Sequence, residues 1–347
     1  MNKKIFWSLS LFITFTVAII VFMLNSHPIE MLPANARDIV VLEIKRVEIS
    51  EKIDSYLAWV PGEQNSVAAI KEGFSKGDIV YAYDLETGNT RELYDLGEYG
   101  LDQRDTIRFF WTADGKRIVL GSGQIFDTKT KSNFALKLPD GYEYLDTYAT
   151  SPDGKKIFLT GGGENVSGAF VFDIDNEKFT PFQISIDAFT PPLQPAPWKL
   201  AFYPLTWSQD GNWFAVETYN PDTPPKSIRD IVPSAIYLIS IDGKATRLIA
   251  SNINGRVIAI TFSPDGSKII WAVANNSGDQ SIFIANSDGS NAHEIFSNIG
   301  LSSDYNITSN LLWSSDGSRI VYAGPPDKDF NYHVWVLFLG KAGVSTP

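Results

Sequence analysis

One unit, complete over Thr261–Ile295, recurs along this chain and limits what it can fold into. An apolar strand ends in Phe262, Ser263-Pro264-Asp265-Gly266 turns the chain, and Lys268–Ala274 returns. A polar loop, a third strand at Ser281–Asn286, the turn Ser287-Asp288-Gly289 and a short fourth strand near Ala292–Phe296 complete the unit. Pro264 presets φ for the second turn position, Asp265 suits the third, and Gly266 can take the positive φ that closes a hairpin. The returning strand places Ile269, Ile270 and Trp271 in a row rather than at alternate positions. Such a run suits a strand covered on both faces.

Alignment on the turn puts Asp114-Gly115, Asp153-Gly154, Asp210-Gly211, Asp265-Gly266 and Asp316-Gly317 in one slot. A degenerate first copy lies at Pro61-Gly62-Glu63, where Pro61-Gly62 resembles the centre of a type II turn. With Glu63 as its aligned position, the copies are spaced by 52, 39, 57, 55 and 51 residues. Four residues before the slot stand Trp59, Trp111, Thr150, Trp207, Phe262 and Trp313, read as core positions. The second halves recur as well, from IVYAYDLETG and QIFDTKTK to AIYLISIDG and HVWVLFLG. Six copies of about 50 residues with four strands each predict an all-β chain, a six-bladed β-propeller of four-stranded antiparallel blades.

The succession of SPDG, an apolar strand, I-[YF]-[VI] and a DG or TG turn resembles the TolB-type propeller repeat over roughly Ser55–Leu339. The resemblance is specific for fold, because that repeat occurs in periplasmic scaffolds, peptidase-associated propellers and some sugar-acid lyases. The plan is WD-repeat-like, but the paired Gly-His and Trp-Asp signature is missing.

The chain outside the repeat speaks to location. Lys3 and Lys4 precede Ile5–Leu24, 20 residues without a charge. As a helix this stretch spans ~30 Å, the thickness of a bilayer's hydrocarbon core. Positive charge before it predicts a signal-anchor with the propeller outside the cytoplasm, periplasmic or extracellular. The rival is cleavage after Ala36, since Ala34-Asn35-Ala36 has the form of a signal-peptidase site, which would release a secreted protein. The long apolar stretch, and the twelve residues between it and that site, favour retention. Residues 25–38 read as a linker, 39–340 as the propeller and 341–347 as a tail. The last copy lacks a fourth strand while Ile39–Ile49 offers a spare one, so Val40–Lys45 is expected to close the sixth blade.

Composition narrows the chemistry. The 40 acidic and 29 basic residues give −11, and −13 without Lys3 and Lys4, which argues against a nucleic-acid groove. Cysteine is absent, excluding disulfides, thiolate metal sites and a cysteine nucleophile. G-x-S-x-G occurs at Gly73-Phe74-Ser75-Lys76-Gly77, but between two strands of the first copy rather than at a strand-to-helix elbow, and no α/β domain follows the propeller. The resemblance to propeller lyases implies several histidines around a metal, whereas the three here, His27, His293 and His333, are scattered. Calcium remains open on carboxylate content, although the turn aspartates are explained by turn chemistry. Gly161-Gly162-Gly163 follows a strand and leads into another, so it reads as the loop between the middle strands of blade three rather than a phosphate cradle. The expected function is therefore a non-catalytic, membrane-anchored scaffold without a cofactor. It binds a protein or small ligand at the outer membrane surface or cell envelope. The alternative is a metal-dependent propeller hydrolase, lactonase or lyase with its site in the channel. Oligomeric state is open.

With strands lettered A to D outward from the channel, A–B and C–D turns emerge on one side and D–A and B–C loops on the other. The A–B turns are short and uniform, offering little to recognise. Two long insertions, Asp187–Leu205 entering blade four and Asn220–Ser234 within it, share the other side. They supply Phe189, Trp198, Phe202 and Tyr203 as aromatic anchors and Lys226, Arg229 and Asp230 as charges, a mixture suited to a binding face. The bland reading is that these side chains pack the loops together or cap the channel.

Overall fold

The structure, a computed structural model, describes residues 35–47, 57–71, 78–99, 101, 109–112, 114–164, 166–183, 201–219, 234–253, 255–275, 280–297, 311–323 and 333–342. For 201–205, 219 and 252 it describes only the backbone. Ile5–Leu24 lies outside these residues, as does the 343–347 end of the tail; among the described residues no helix is long and apolar enough to cross a membrane.

The first strand, β1 (Ile39–Val47), follows a single 3₁₀ turn at Ala36–Asp38. Blade one is β2 (Ala58–Trp59), β3 (Ser66–Lys71), β4 (Ile79–Asp84) and β5 (Thr90–Asp95). Blade two is β6 (Phe109–Trp111), β7 (Arg117–Leu120), β8 (Gln124–Asp127) and β9 (Ser132–Ala135). Blade three is β10 (Tyr144–Thr150), β11 (Lys156–Gly162), β12 (Ser167–Asp173) and β13 (Lys178–Phe182). Blade four is β14 (Ala201–Trp207), β15 (Trp213–Tyr219), β16 (Ser234–Ser240) and β17 (Thr246–Ile253). Blade five is β18 (Arg256–Phe262), β19 (Lys268–Ala274), β20 (Gln280–Asn286) and β21 (His293–Ser297). Blade six is β22 (Leu311–Trp313), β23 (Arg319–Ala323) and β24 (Val334–Lys341), with β1 as its outer strand. The chain is a six-bladed propeller of four-stranded antiparallel blades.

The consecutive apolar residues of the second strands have a direct physical use. Side chains alternate between the two faces of a strand, and here both faces meet a neighbouring blade. In β3, Val67 and Ala69 enter the core between blades six and one, while Ala68 and Ile70 enter the core between one and two. In β7, Ile118 and Leu120 face blade one and Val119 faces blade three. Each of the six seams is filled by its own apolar cluster.

β1 pairs antiparallel with β24 from Ile39↔Lys341 to Val47↔Val334, with a bulge at Leu42. It extends one residue before and two beyond the expected Val40–Lys45. Its ends serve two seams: Ile39 packs with Leu337 and Ile284, and Val47 with Val334 and Leu57.

Two local expectations change. Gly161 and Gly162 are not loop residues; they end β11, paired with Gly168 and Ser167 of β12. β14 begins at Ala201, so Phe202 and Tyr203 belong to a strand rather than to the entering loop. Its register passes from Ala201↔Glu217 to Leu205↔Val216, leaving Phe202, Tyr203 and Pro204 in a bulge. Proline has no N–H to give a ladder, which suits Pro204 to that place.

Candidate binding site at the channel mouth

Five of the six inner strands run into an A–B turn built by one hydrogen-bond pattern. In blade five the Gly266 N–H donates to the Ser263 carbonyl at 2.8 Å, with Gly266 at φ +69°. The Ser263 hydroxyl donates to Asp265 Oδ1 at 2.5 Å and accepts the Lys268 N–H at 2.9 Å. Asp265 Oδ1 also accepts the Ser267 N–H at 3.0 Å. The same pattern joins Thr112 to Asp114, Ser151 to Asp153, Ser208 to Asp210 and Ser314 to Asp316. Gly115, Gly154, Gly211 and Gly317 all have positive φ. The degenerate copy closes with the Glu63 N–H on the Val60 carbonyl at 3.0 Å and Gly62 at φ +80°, as a Pro-Gly type II turn requires.

These bonds decide the chemistry of the turn aspartates. The Asp114 carboxyl is held down to about 2 by hydrogen bonds from the Lys116 side chain and backbone, with help from Thr112. For Asp265 and Asp316 burial pushes upward, but hydroxyl and N–H donors outweigh it and hold both below the usual range. Their oxygens close hairpins. Among the described residues, no group of three or more His, Asp or Glu stands close enough to hold a metal ion.

The turns stand around the channel, and two neighbouring pairs come into contact. A methyl added to Gly115 would lie 2.7 Å from Pro61 Cβ, and one on Gly266 3.4 Å from Gln209 Cβ. Inside them is a cavity of about 630 Å³. Blade one contributes Trp59, Pro61 and Gln64, blade four Gln209, blade five Phe262 and Pro264, and blade six Leu312 and Trp313. This is the side expected to offer little. Uniform turns frame an opening, and the repeated aromatic lines it.

Polar groups around the cavity are already engaged. The Trp59 indole N–H donates to the Trp313 carbonyl at 2.9 Å, and that of Trp313 to the Gly317 carbonyl at 2.8 Å. Arg319 reaches across the seam to Asn65 Oδ1 at 2.9 Å and the Gln64 carbonyl at 3.0 Å. Glu63, the carboxylate of this lining, pairs with Arg91. Burial raises the Glu63 carboxyl, but hydrogen bonds from Ser66 and Arg91 and the charge of Arg91 outweigh this and keep it low. What faces the space is apolar surface with a rim of amides.

Phe189, Trp198, Lys226, Arg229 and Asp230 lie outside the described residues, and Phe202 and Tyr203 lie on β14. His27 is also outside them. His293 begins the outer strand β21, with Nε2 3.2 Å from the Ile39 carbonyl and Nδ1 3.1 Å from that of Asn291. His333 precedes β24, with Nε2 3.3 Å from Arg46 Nη2. Both sit against the closing strand at the outside of the ring.

A carboxylate buried at a blade seam escaped the sequence reading. Glu217, on β15, is buried at the seam of blades four and five, where it accepts the Val257 N–H at 2.9 Å. Burial pushes its carboxyl up to about 7, against the lowering effects of Val257, Ser234 and the charge of Arg256. The available signal was positional: six residues after the turn slot the other blades carry Ala69, Gly121, Thr160, Ala272 and Ala323.

This geometry defines a propeller with an apolar, aromatic-lined channel mouth, and comparison with solved structures places its fold. The chain superimposes on a protein assigned as TolB from Agrobacterium tumefaciens with TM-score 0.56 and 14% identity, covering 87% of this chain and 96% of that one. TolB from Acinetobacter baumannii gives 0.50 at 14% identity, covering 81% and 67%. Oligogalacturonate lyase from Vibrio parahaemolyticus gives 0.52 at 14% identity, covering 87% and 83%. No protein-family profile matches the chain, and no curated protein matches it in sequence. At these identities the likeness is one of fold: this is a TolB-like six-bladed propeller.

Proposed function

We propose that this protein is a non-catalytic binding scaffold whose channel mouth receives an uncharged, largely apolar group of a protein or small-molecule partner at the cell envelope. The cavity carries the reading. Its size falls within the range of ligand pockets, its walls are Trp59, Phe262, Leu312 and Trp313, and Gln64 and Gln209 supply orienting amides. Glu63 is committed to Arg91, and the described histidines stand at the outer edge of the ring. Retention of Ile5–Leu24 as an anchor would hold the propeller outside the cytoplasm. The packing of Ala36 supports retention: it is fully buried in the seam of blades five and six, and its N–H donates to Asn286 Oδ1 at 2.9 Å. The TolB likeness fits a scaffold. The lyase likeness fits the alternative, a metal-dependent channel enzyme, and one solved oligogalacturonate lyase is in complex with manganese.

The test fills the cavity. Gln209→Trp in the full-length chain should abolish partner recovery by envelope cross-linking while leaving the melting temperature within about 2 °C. Undiminished recovery with the fold intact removes the channel mouth as the binding site. Metal analysis of the same purified chain separates the readings, since stoichiometric calcium or a transition metal would favour the enzyme.

A further inference from the structure

Blade three carries a surface that the repeat does not require, on the side opposite the channel mouth described above. β11 ends in Gly161 and Gly162, and glycine weakens a strand unless something must come close to it. Two tyrosines of the entering segment do come close. A methyl on Gly162 would stand 2.6 Å from the Tyr144 hydroxyl, and one on Gly168 2.8 Å from that of Tyr142. Tyr142 is half-buried, edge-on to Phe170 at 5.2 Å between ring centres. Tyr144 is 58% exposed, and Val166 and Leu138 are each 37% exposed.

Backbone bonds tie these segments down. The Glu143 N–H donates to the Gly162 carbonyl at 2.7 Å, Gly163 to Val166 at 2.8 Å, and Tyr142 to Pro139 at 3.1 Å. The exposed ring therefore lies on a fixed floor. The carboxylates of Asp140, Glu143, Asp146 and Glu164 are exposed on the same two segments, against Lys137 as the cation.

An aromatic face whose supporting segments carry exposed carboxylates attracts cations through the ring quadrupole and through the field of the carboxylates, and repels polyanions. We infer that Tyr144, Val166 and the surrounding carboxylates form an interaction surface for a partner polypeptide segment that carries lysine or arginine beside apolar side chains. The apolar side chains cover Tyr144 and Val166, and the cations pair with Glu143 and Glu164. This surface is separate from the channel mouth and stands or falls independently of it.

The experiment uses the full-length chain in non-ionic detergent and a fluorescein-labelled peptide of alternating lysine and leucine, read by fluorescence anisotropy. Binding should weaken at least about tenfold in Glu143→Lys/Glu164→Lys and in Tyr144→Ala, while Tyr144→Phe retains it. Replacing lysine by glutamate in the peptide should abolish binding. Glu177→Lys/Glu294→Lys, an equal charge change elsewhere on the ring, should leave affinity unaltered. The charge reversals alter only exposed groups, so they report on binding even if Tyr144→Ala loosens the loops. Equal loss in both double variants would show that the peptide follows net charge alone and would overturn the assignment. Undiminished binding in Glu143→Lys/Glu164→Lys would overturn it too.

Discussion

The indole N–H of Trp59 donates to the carbonyl oxygen of Trp313 at 2.9 Å, joining the first blade to the last beside the channel. Both residues occupy the same repeat position, so one copy of the repeat recognises the next by its backbone. Trp59→Phe keeps an aromatic ring but removes the donor together with part of the indole's packing surface. It should cost about 1 kcal/mol in urea unfolding. No measurable cost would mean that packing alone holds this seam.

The closing strand should matter more than any single seam bond. Removing residues 38–49 exposes the edge of β24 and strips Ile39 and Val47 from two apolar clusters. A melting temperature lowered by more than about 8 °C is expected, since several kcal/mol of burial are lost. A truncated chain that melts with the parent would show the ring to be held without β1.

The A–B turns put a steric demand on one residue each. Gly266 at φ +69° and Gly317 at φ +77° occupy the region that a β-branched side chain avoids. Gly266→Val and Gly317→Val should each cost ~1–3 kcal/mol. Ser263→Ala should cost about 1 kcal/mol by leaving the Lys268 N–H without its acceptor. Unfolding midpoints at constant m-value check all three.

Glu217 should make stability depend on pH in a defined window. Its folded pKa is raised from 4.5 to about 7, so folded protein keeps a proton that the unfolded chain gives up earlier. The stabilisation is complete below the unfolded value and is lost as pH rises through the folded one, by up to about 3 kcal/mol. The turn aspartates, held low, act in the opposite sense and only as pH falls below the usual aspartate value, so they add little between pH 5 and pH 8. The part of the difference lost in Glu217→Gln reports Glu217, and a slope unchanged by the substitution would assign it to other groups such as the histidines.

Much of the fold was legible because the repeat is a local device. Ser263-Pro264-Asp265-Gly266 makes its turn from its own atoms, and the runs Ile269-Ile270-Trp271 and Arg319–Ala323 report strands buried on both faces. Strand counting likewise pointed to Ile39–Ile49 as the piece missing from blade six. The hydroxyl residue that opens five of the turns, serine in four and Thr112 in blade two, was passed over, although it is bonded on both sides. Propensity arguments rank residues singly and do not reveal that Ser263 and Asp265 work as a pair.

The candidate site was legible only in its parts. The sequence by itself determined that an aromatic recurs at Trp59, Phe262 and Trp313 and that a carboxylate stands at Glu217. Only the tertiary structure decided that the first three look into one cavity and that Glu217 meets the Val257 N–H 40 residues away in sequence. The physical reason is range. Turn closure and strand burial are set by neighbours a few positions apart, whereas a channel and a seam exist only once six blades close on one another.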